Sequence, residues 1–465
     1  MVWLLGAVLA PLCIADEGDT VASPAQPPAQ RPVLRPNRWQ EDWSPLADPR
    51  LRTQPLDNLK YIPLGADPQR YLSFGLNLRE RLESNNSYAF GTSGWSADSY
   101  LLQRLQVHAD LRANEHVQVF TQLEDVRAPG KTRITPVDQN RFDLRQAFIA
   151  VVGNIGEGTY KLRGGRQEMA FDMQRFVSVR DGPNVRQAFD ALWADWEYRR
   201  WRFIGFVSQP VQYHNREWFD DTSSNHLTYG GLRVERQQVG PGDLAIYYSR
   251  FRQDRVDYLT VSGNERRDNF DARYFGITGN ADWDLEFMWQ RGYVGVDDVR
   301  AWALGSHFGY TFVDAPWRPR AAVQIDAASG DRDPDDRRLQ TFNPLFPNGV
   351  YFTLASYTGY VNLIHVKPSL TLKPDNALTL TGALGLQWRQ TTADAVYTQP
   401  SNPIPGTAGQ GGLWTGWYQQ ARGEYKINTH LTGAVELVHF QIGSAVRRAG
   451  GHNGNYRNLE LKFVW

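Results

Sequence analysis

The chain has 465 residues, with 50 lysines and arginines against 50 aspartates and glutamates, for a formal net charge of +0. Its single cysteine excludes a disulfide framework and a cysteine-based zinc site, and its charge balance lacks the basic excess of a general nucleic-acid binder. No apolar run reaches the ~18 residues of a membrane-spanning helix, but that leaves a membrane β-barrel open, because its alternating strands average out as polar.

The stretch from Met1 to Ala15 is apolar, too short to span a bilayer, and ends in the small-residue pattern Cys13-Ile14-Ala15 ahead of Asp16-Glu17. It reads as a secretory signal over residues 1–15. The alternatives are a buried N-terminal strand, or lipidation of Cys13 in the poor context of Pro11-Leu12. Residues 16–70 then form a periplasmic N-terminal segment. As far as Gln30 it is acidic and then rich in Pro, Ala and Gln, a composition that cannot bury a core, so disorder is expected there. Beyond it Trp39, Trp43, Leu46, Leu56, Leu59 and Ile62 carry enough apolar surface to dock.

From Leu72 onward the apolar residues recur every second position, the period of a strand with one wet face. Leu105, Val107, Ala109 and Leu111 alternate with Gln106, His108, Asp110 and Arg112. Val117, Val119, Thr121 and Leu123 are interleaved with Gln118, Gln122 and Glu124; Leu378 to Trp388 repeats the pattern; and Leu459, Leu461, Phe463 and Trp465 close the chain. The links decide between a sandwich and a barrel. Short ones near Arg199-Arg200, Asn280–Asp282, Lys373–Asn376 and Ile427–Thr429 alternate with long ones at Met169–Arg186, Tyr213–Asn225, Arg252–Asp268, Ser329–Tyr357, Gln390–Leu413 and Ile442–Gly454. Tight turns at one rim and long loops at the other are the habit of outer-membrane barrels. The expected fold is all-β: a transmembrane antiparallel β-barrel over residues 71–465, of about 18 strands, with short periplasmic turns, long extracellular loops and both termini in the periplasm. Trp196, Trp289, Trp302, Tyr310, Trp388 and Trp465 fall on the apolar phase, where a membrane protein places its interfacial rim.

The polar phase should line the bore. It places Arg79, Arg81, Arg104, Arg112 and Arg145 there early in the chain and Arg389 late, with Glu83, Asp110, Glu124 and Asp143 among their acidic neighbours. Guanidinium stays charged and forms forked hydrogen bonds to carboxylates, so an arginine-rich wall suits an anionic solute. The competing reading is a set of mutual salt bridges that hold the barrel's shape. A barrel of this strand number is wide enough for an aqueous channel unless loops fold into it.

Three stretches then take on a familiar look: Leu144-Arg145-Gln146-Ala147-Phe148, Gly165-Arg166-Gln167-Glu168 and Asn184-Val185-Arg186-Gln187-Ala188-Phe189-Asp190. With Ala328-Ser329-Gly330-Asp331-Arg332-Asp333-Pro334 and Phe342-Asn343-Pro344-Leu345-Phe346-Pro347, they resemble the alginate export family of outer-membrane porins. The likeness runs from about Glu41 to Trp465, including the aromatic C-terminus read by the barrel-assembly machinery. It implies a barrel passing an anionic polysaccharide through an arginine-rich lumen, with Arg145 and Arg166 in the conduit. Arg166 is off the phase of Lys161 and Arg163, so a bulge near Gly164-Gly165 is required to turn it inward. Residues Met169 to Arg180 depart from the alginate exporter's own sequence, which leaves an alginate-like polymer, another carboxylated sugar or a small carboxylate as candidate substrates.

An outer-membrane enzyme or adhesin is the competing class. No Gly-x-Ser-x-Gly, His-Glu-x-x-His or phosphate-loop pattern occurs, and His108, His307 and His365, on the lumen phase, have no evident serine and aspartate partners. The expectation is therefore a channel without catalytic residues, cofactor or metal, with membrane lipid and an anionic solute as its partners. Asp331, Asp333, Asp335 and Asp336 crowd one loop but lack the glycine and terminal glutamate of an EF-hand, so a solvated acidic loop is expected.

Overall fold

Because successive side chains of a strand point to opposite faces, a long run of period two needs one apolar and one polar surrounding. The protein answers with a closed wall. The computed structural model describes residues 30–94 and 97–465; the signal at 1–15 and nearly all of the stretch expected to be disordered lie outside the described residues. Among the described residues, 18 antiparallel strands form one barrel. The first, Tyr71–Asn85, pairs with the second, Asp98–Arg112, and also with the last, Gly454–Val464, with Leu78 opposite Phe463 and Arg79 opposite Lys462. Two short additions, Ile62–Pro63 and Arg338–Leu339, pair with wall strands without joining the cylinder. Closure leaves no unpaired edge, the condition for a strand wall in hydrocarbon, where each orphaned backbone group costs several kcal/mol.

The links at one rim are tight (113–116, 156–157, 199–200, 240–241, 279–280, 373–377 and 427–430), with 312–319 the longest. At the other rim 86–97, 128–139, 168–188, 211–226, 329–362, 389–413 and 443–453 are long. Two links there are not. Residues 295–296 make a tight turn, and the expected loop Arg252–Asp268 is mostly strand: Arg252 lies opposite Arg266 and Gln253 opposite Glu265, and only 258–261 connect them. These strands, Gly242–Asp257 and Ser262–Thr278, are polar on both phases near that rim, so alternation fades although pairing continues.

Phe74, Leu82, Val107, Leu192, Leu232, Phe270, Leu304, Leu384 and Leu459 are exposed on the outer wall, a continuous apolar band. Trp196, Trp201, Tyr310 and Phe312 border it near the tight turns, and Trp289, Tyr293 and Trp414 near the long loops. Trp388 stacks edge-on against Trp414 at 5.0 Å, and Trp302 is half-buried. Trp465 departs from the rim, because its ring is capped by Lys60 Nζ at 4.2 Å. Among the described residues no helix is long and apolar enough to cross a membrane; the crossing is made by strands.

The N-terminal segment docks at the tight-turn end. Arg38 ties it to the wall through the Leu76 carbonyl (3.3 Å), Asn77 Oδ1 (2.5 Å) and the Trp465 carbonyl (2.9 Å), while pairing with Glu41 at 2.7 Å. Trp43 and Leu46 are buried with Tyr61 and Tyr71, and Trp39 meets Phe148 of the wall at 6.0 Å. Lys60 is buried too, donating to the Phe74 carbonyl at 2.8 Å. Burial pulls its ammonium from 10.5 down to about 7. The released segment keeps that proton up to its ordinary value, so the cost of docking a charged lysine is fully present below about pH 7 and is relieved between about pH 7 and 10, by on the order of 1.4 kcal/mol per pH unit. Fluorine NMR of a fluorotryptophan at position 43 should show the docked population growing over that window, and Lys60→Met should flatten the profile. A wild-type population that does not change with pH would contradict the argument.

Candidate functional site

The bore is crossed by one loop, residues 168–188. It is too apolar for a solvated connection: Met169, Phe171, Met173, Phe176 and Val177 are buried, and the backbone closes on itself through Phe171 N to the Val177 carbonyl at 3.0 Å. Three of its residues, Asp172, Gln174 and Arg180, take left-handed φ of 56°, 58° and 53°, uncommon for side-chain-bearing residues and tolerated where the surroundings hold them. Loop 329–362 supplies much of that hold. Phe346 N–H donates to the Phe176 carbonyl at 2.9 Å, the Phe346 carbonyl accepts from Ser178 N–H at 3.0 Å, and Phe342, Phe346, Phe352 and Tyr360 join the same apolar cluster. Together the two loops pack into the bore from the long-loop rim and reach as far as Arg273, Asp284 and Glu286 of the wall.

Charge fastens the crossing loop to opposite walls. On one side Asp172 accepts from both terminal nitrogens of Arg233 at 2.6 Å and from Arg273 at 2.6 Å, while Arg175 donates to Asp284 (2.6 Å), Glu286 (2.7 Å) and Tyr351 (2.7 Å). On the other side Arg79 reaches the carbonyls of Asp181 (2.6 Å) and Pro183 (3.2 Å) and Asn184 Oδ1 (3.1 Å), and Arg81 reaches the Gly182 carbonyl at 2.7 Å. Arg104 pairs with the Asp181 carboxylate at 2.5 Å, Arg186 with the same carboxylate at 2.8 Å, and Lys462 approaches it at 3.9 Å.

Of the arginines read from sequence, Arg79, Arg81 and Arg104 are therefore brought together in the lumen. Arg145 also faces inward, buried against Glu168 at 3.2 Å and Glu124 at 3.9 Å, and joins the group through Glu168, which Arg186 grips at 2.7 Å. A register shift in strand Asn140–Ile155 puts both Arg145 and Gln146 in the buried set. Arg112 is inward but serves the N-terminal segment, donating to the carbonyls of Trp39 (2.9 Å) and Glu41 (3.0 Å). Two placements need correcting. The bulge at Gly164-Gly165 does not form: the ladder runs unbroken through Ala147–Arg166 and Arg166–Asp190, so Arg166 keeps the outward phase of Leu162 and pairs with Asp190 at 2.8 Å beneath loop 211–226. Arg389 is enclosed by its own loop, bonded to the carbonyls of Gly412 (3.2 Å), Asp394 (3.3 Å) and Thr407 (2.6 Å) and to that of Gln410.

Asp181, Arg186, Asp172 and Arg175 escape a reading that treats the segment as a long outer link; its buried apolar residues among three arginines, Arg175, Arg180 and Arg186, are the signal that it packs within. In the half nearer the tight turns water reaches several wall charges: Lys161 and Glu197 (2.8 Å apart), Arg202, Arg422, Glu424 and Lys462 are all part-exposed. The acidic loop after Ser329 is solvated only in part: Asp333, Asp335 and Asp336 are exposed, whereas Asp331 is buried beside Asp394, whose carboxylate accepts the Asp331 N–H at 2.8 Å. His365 contacts Asp326 (3.2 Å) and Tyr418 (2.9 Å), within a buried network that includes no serine.

A closed wall, greasy outside and charged inside with a loop folded into its bore, is the construction of an outer-membrane porin. The solved structures it resembles share that fold. They include a BenF-like porin from Pseudomonas fluorescens Pf-5 (TM-score 0.57, 10% identity, 85% of this chain and 99% of that one) and Pseudomonas aeruginosa OccK2 (OpdF) solved in complex with glucuronate (TM-score 0.55, 10% identity, 84% and 97%). Pseudomonas aeruginosa OccK11 (OpdR) is a third, with TM-score 0.55, 9% identity and coverage of 84% and 95%. No curated protein matches the chain by sequence. The alginate export family model matches residues 70–460, and the chain belongs to that family. It is a channel protein of the outer membrane, not an enzyme.

Proposed function

We propose that this porin passes carboxylated sugars, uronates or short anionic oligosaccharides, by passive diffusion over the basic cluster at the crossing loop. The observation that carries the reading is Asp181. Its side chain is 42% exposed, yet enclosure in the bore, which pushes the carboxyl up, is outweighed by Arg104, Arg186, Lys462 and Arg79, which hold it well below the usual carboxylate range. A carboxylate placed there thus meets a strongly positive potential, and a uronate would compete with Asp181 for the same forked donors. Arg79, Arg81, Arg104, Arg145, Arg186 and Lys462 are the residues assigned to this path. Such contacts are weak individually and exchangeable, as conduction requires. The packing of two loops into the bore favours a monomer or short oligomer over a long polymer. In this reading the tight turns, both termini and residues 16–70 lie in the periplasm, after removal of a signal at 1–15, and the long loops face outside; an even strand number puts the termini on one side.

The test is planar-bilayer recording with glucuronate, galactose and glucose. Glucuronate should interrupt the ionic current saturably and neutral sugars should not. The double change Arg104→Gln with Arg186→Gln, which removes two charge-assisted contacts of roughly 1.5–3 kcal/mol each, should weaken that block by about tenfold or more. Equal block by glucose, or a block unaltered in the variant, would sink the proposal.

A further inference from the structure

At the long-loop rim, Asp143 of the wall meets Asp220 and Asp221 of loop 211–226. One carboxylate oxygen from each lies within 4.8 Å of the others, the span that two oxygens on opposite sides of a Ca²⁺ ion with bonds of ~2.4 Å can cover. Most of these oxygens are satisfied by backbone: Asp143 Oδ1 accepts from Leu144 N at 2.6 Å and its Oδ2 from Asp221 N at 3.1 Å, Asp221 Oδ1 accepts from His214 N at 2.9 Å, and Asp220 Oδ2 from Arg216 N at 2.9 Å and Glu217 N at 3.0 Å. Others are not. Asp220 Oδ1 is buried with no partner. More telling is Asn140, 1% exposed, whose Nδ2 sits 2.7 Å from Asp221 Oδ2 and whose Oδ1, on the same small amide, is buried with no donor. Asn215 Oδ1, carried between the residues whose amides serve Asp221 and Asp220, is a third buried oxygen without a donor. Arg166 is committed to Asp190 at 2.8 Å and stands 3.9 Å from Asp143. Three carboxylates, with Asp220 Oδ1 unserved, and the two orphaned amide oxygens of Asn140 and Asn215 form the hard-oxygen set that binds a large divalent cation.

We propose that Asp143, Asp220 and Asp221, completed by the amide oxygen of Asn140, bind a divalent cation of the calcium class and thereby clamp loop 211–226 to the barrel rim. Consistent with crowded negative charge, burial and the neighbouring Asp143 push the Asp221 carboxyl up to about 6. The loop also carries its own reporter: Trp218, 70% exposed, packs edge-on against Phe142, the residue beside Asp143, at 5.9 Å.

The experiment is a titration of the EDTA-washed, detergent-solubilised porin with Tb³⁺, exciting tryptophan and reading lanthanide emission. Saturable emission displaced by Ca²⁺ is expected. Asp220→Asn and Asp221→Asn should each weaken it by roughly tenfold or more, in protein whose heat-modifiable migration shows a folded barrel. Trp218→Phe should abolish the sensitised emission while calorimetric Ca²⁺ binding persists. Emission surviving in Trp218→Phe would place the ion elsewhere and overturn the proposal. So would a wild-type protein giving neither saturable emission nor Ca²⁺ heat, a readout that does not depend on whether the aspartate variants fold.

Discussion

Replacing Arg175 with methionine should raise single-channel conductance severalfold while lowering the temperature at which the folded barrel is lost. Arg175 is fully enclosed, and its guanidinium holds the crossing loop to Asp284 and Glu286 of the wall and to Tyr351 of loop 329–362. Methionine keeps most of the volume and removes the charge. Asp284 retains Arg273, but Glu286 is left buried beside Asp271, neither of whose carboxylate oxygens has a hydrogen-bond partner even in the intact protein. Breaking a buried ion pair on one side typically costs about 3–5 kcal/mol, mostly from the charge left behind. The wall should survive this, because its ladder of strand hydrogen bonds closes without help from the loop. The loop should not stay put, since Asp172 would remain its main charged anchor on that side. Bilayer recordings paired with heat-modifiable gel migration measure both effects. A folded variant with wild-type conductance would show that the crossing loop does not limit the current.

Removing the N-terminal segment through Lys60 is the second large perturbation, and it acts at the opposite end of the bore. The segment brings a buried cluster around Trp43 and Leu46 against Tyr71, and it covers Arg112, Gln118 and Phe148. Its Arg38–Glu41 pair, 2.7 Å apart and almost wholly enclosed, leaves with it as a unit, so no charge of that pair is stranded. The barrel should fold, its tight-turn mouth should widen, and conductance should rise by less than in the Arg175 variant, because the crossing loop remains. Two narrowings in series add as resistances, so the combined variant should conduct more than either change alone. Equal conductance before and after truncation would mean that the segment lies beside the current path.

The two perturbations also separate what was legible in the residues from what was not. The wall was legible. Leu105 to Leu111, Val117 to Leu123 and Leu378 to Trp388 alternate because the membrane and the bore impose opposite demands on neighbouring residues, and that demand is local and repeats every two positions. The family likeness followed from short motifs that lie partly in the wall and partly in the crossing loop. Alternation failed where its cause was absent: above the apolar band, in Gly242–Asp257 and Ser262–Thr278, both faces are polar and strand was mistaken for loop. At Arg166 alternation points the right way and the likeness does not: the likeness demands an inward residue, and the unbroken ladder keeps it on the outward phase.

From its order of residues alone this chain determined an all-β barrel, apolar outward, with arginines such as Arg79, Arg81, Arg104 and Arg145 on the inner face. Only the tertiary structure decided what those arginines meet. Whether residues 168–188 hang outside or cross the bore turns on partners as far away as Arg79, Arg233, Asp284 and Phe346, and no local spacing encodes them. A side chain's face is set by its neighbours in the strand, whereas the destination of a loop is set by whichever distant surface satisfies its buried charges and apolar groups.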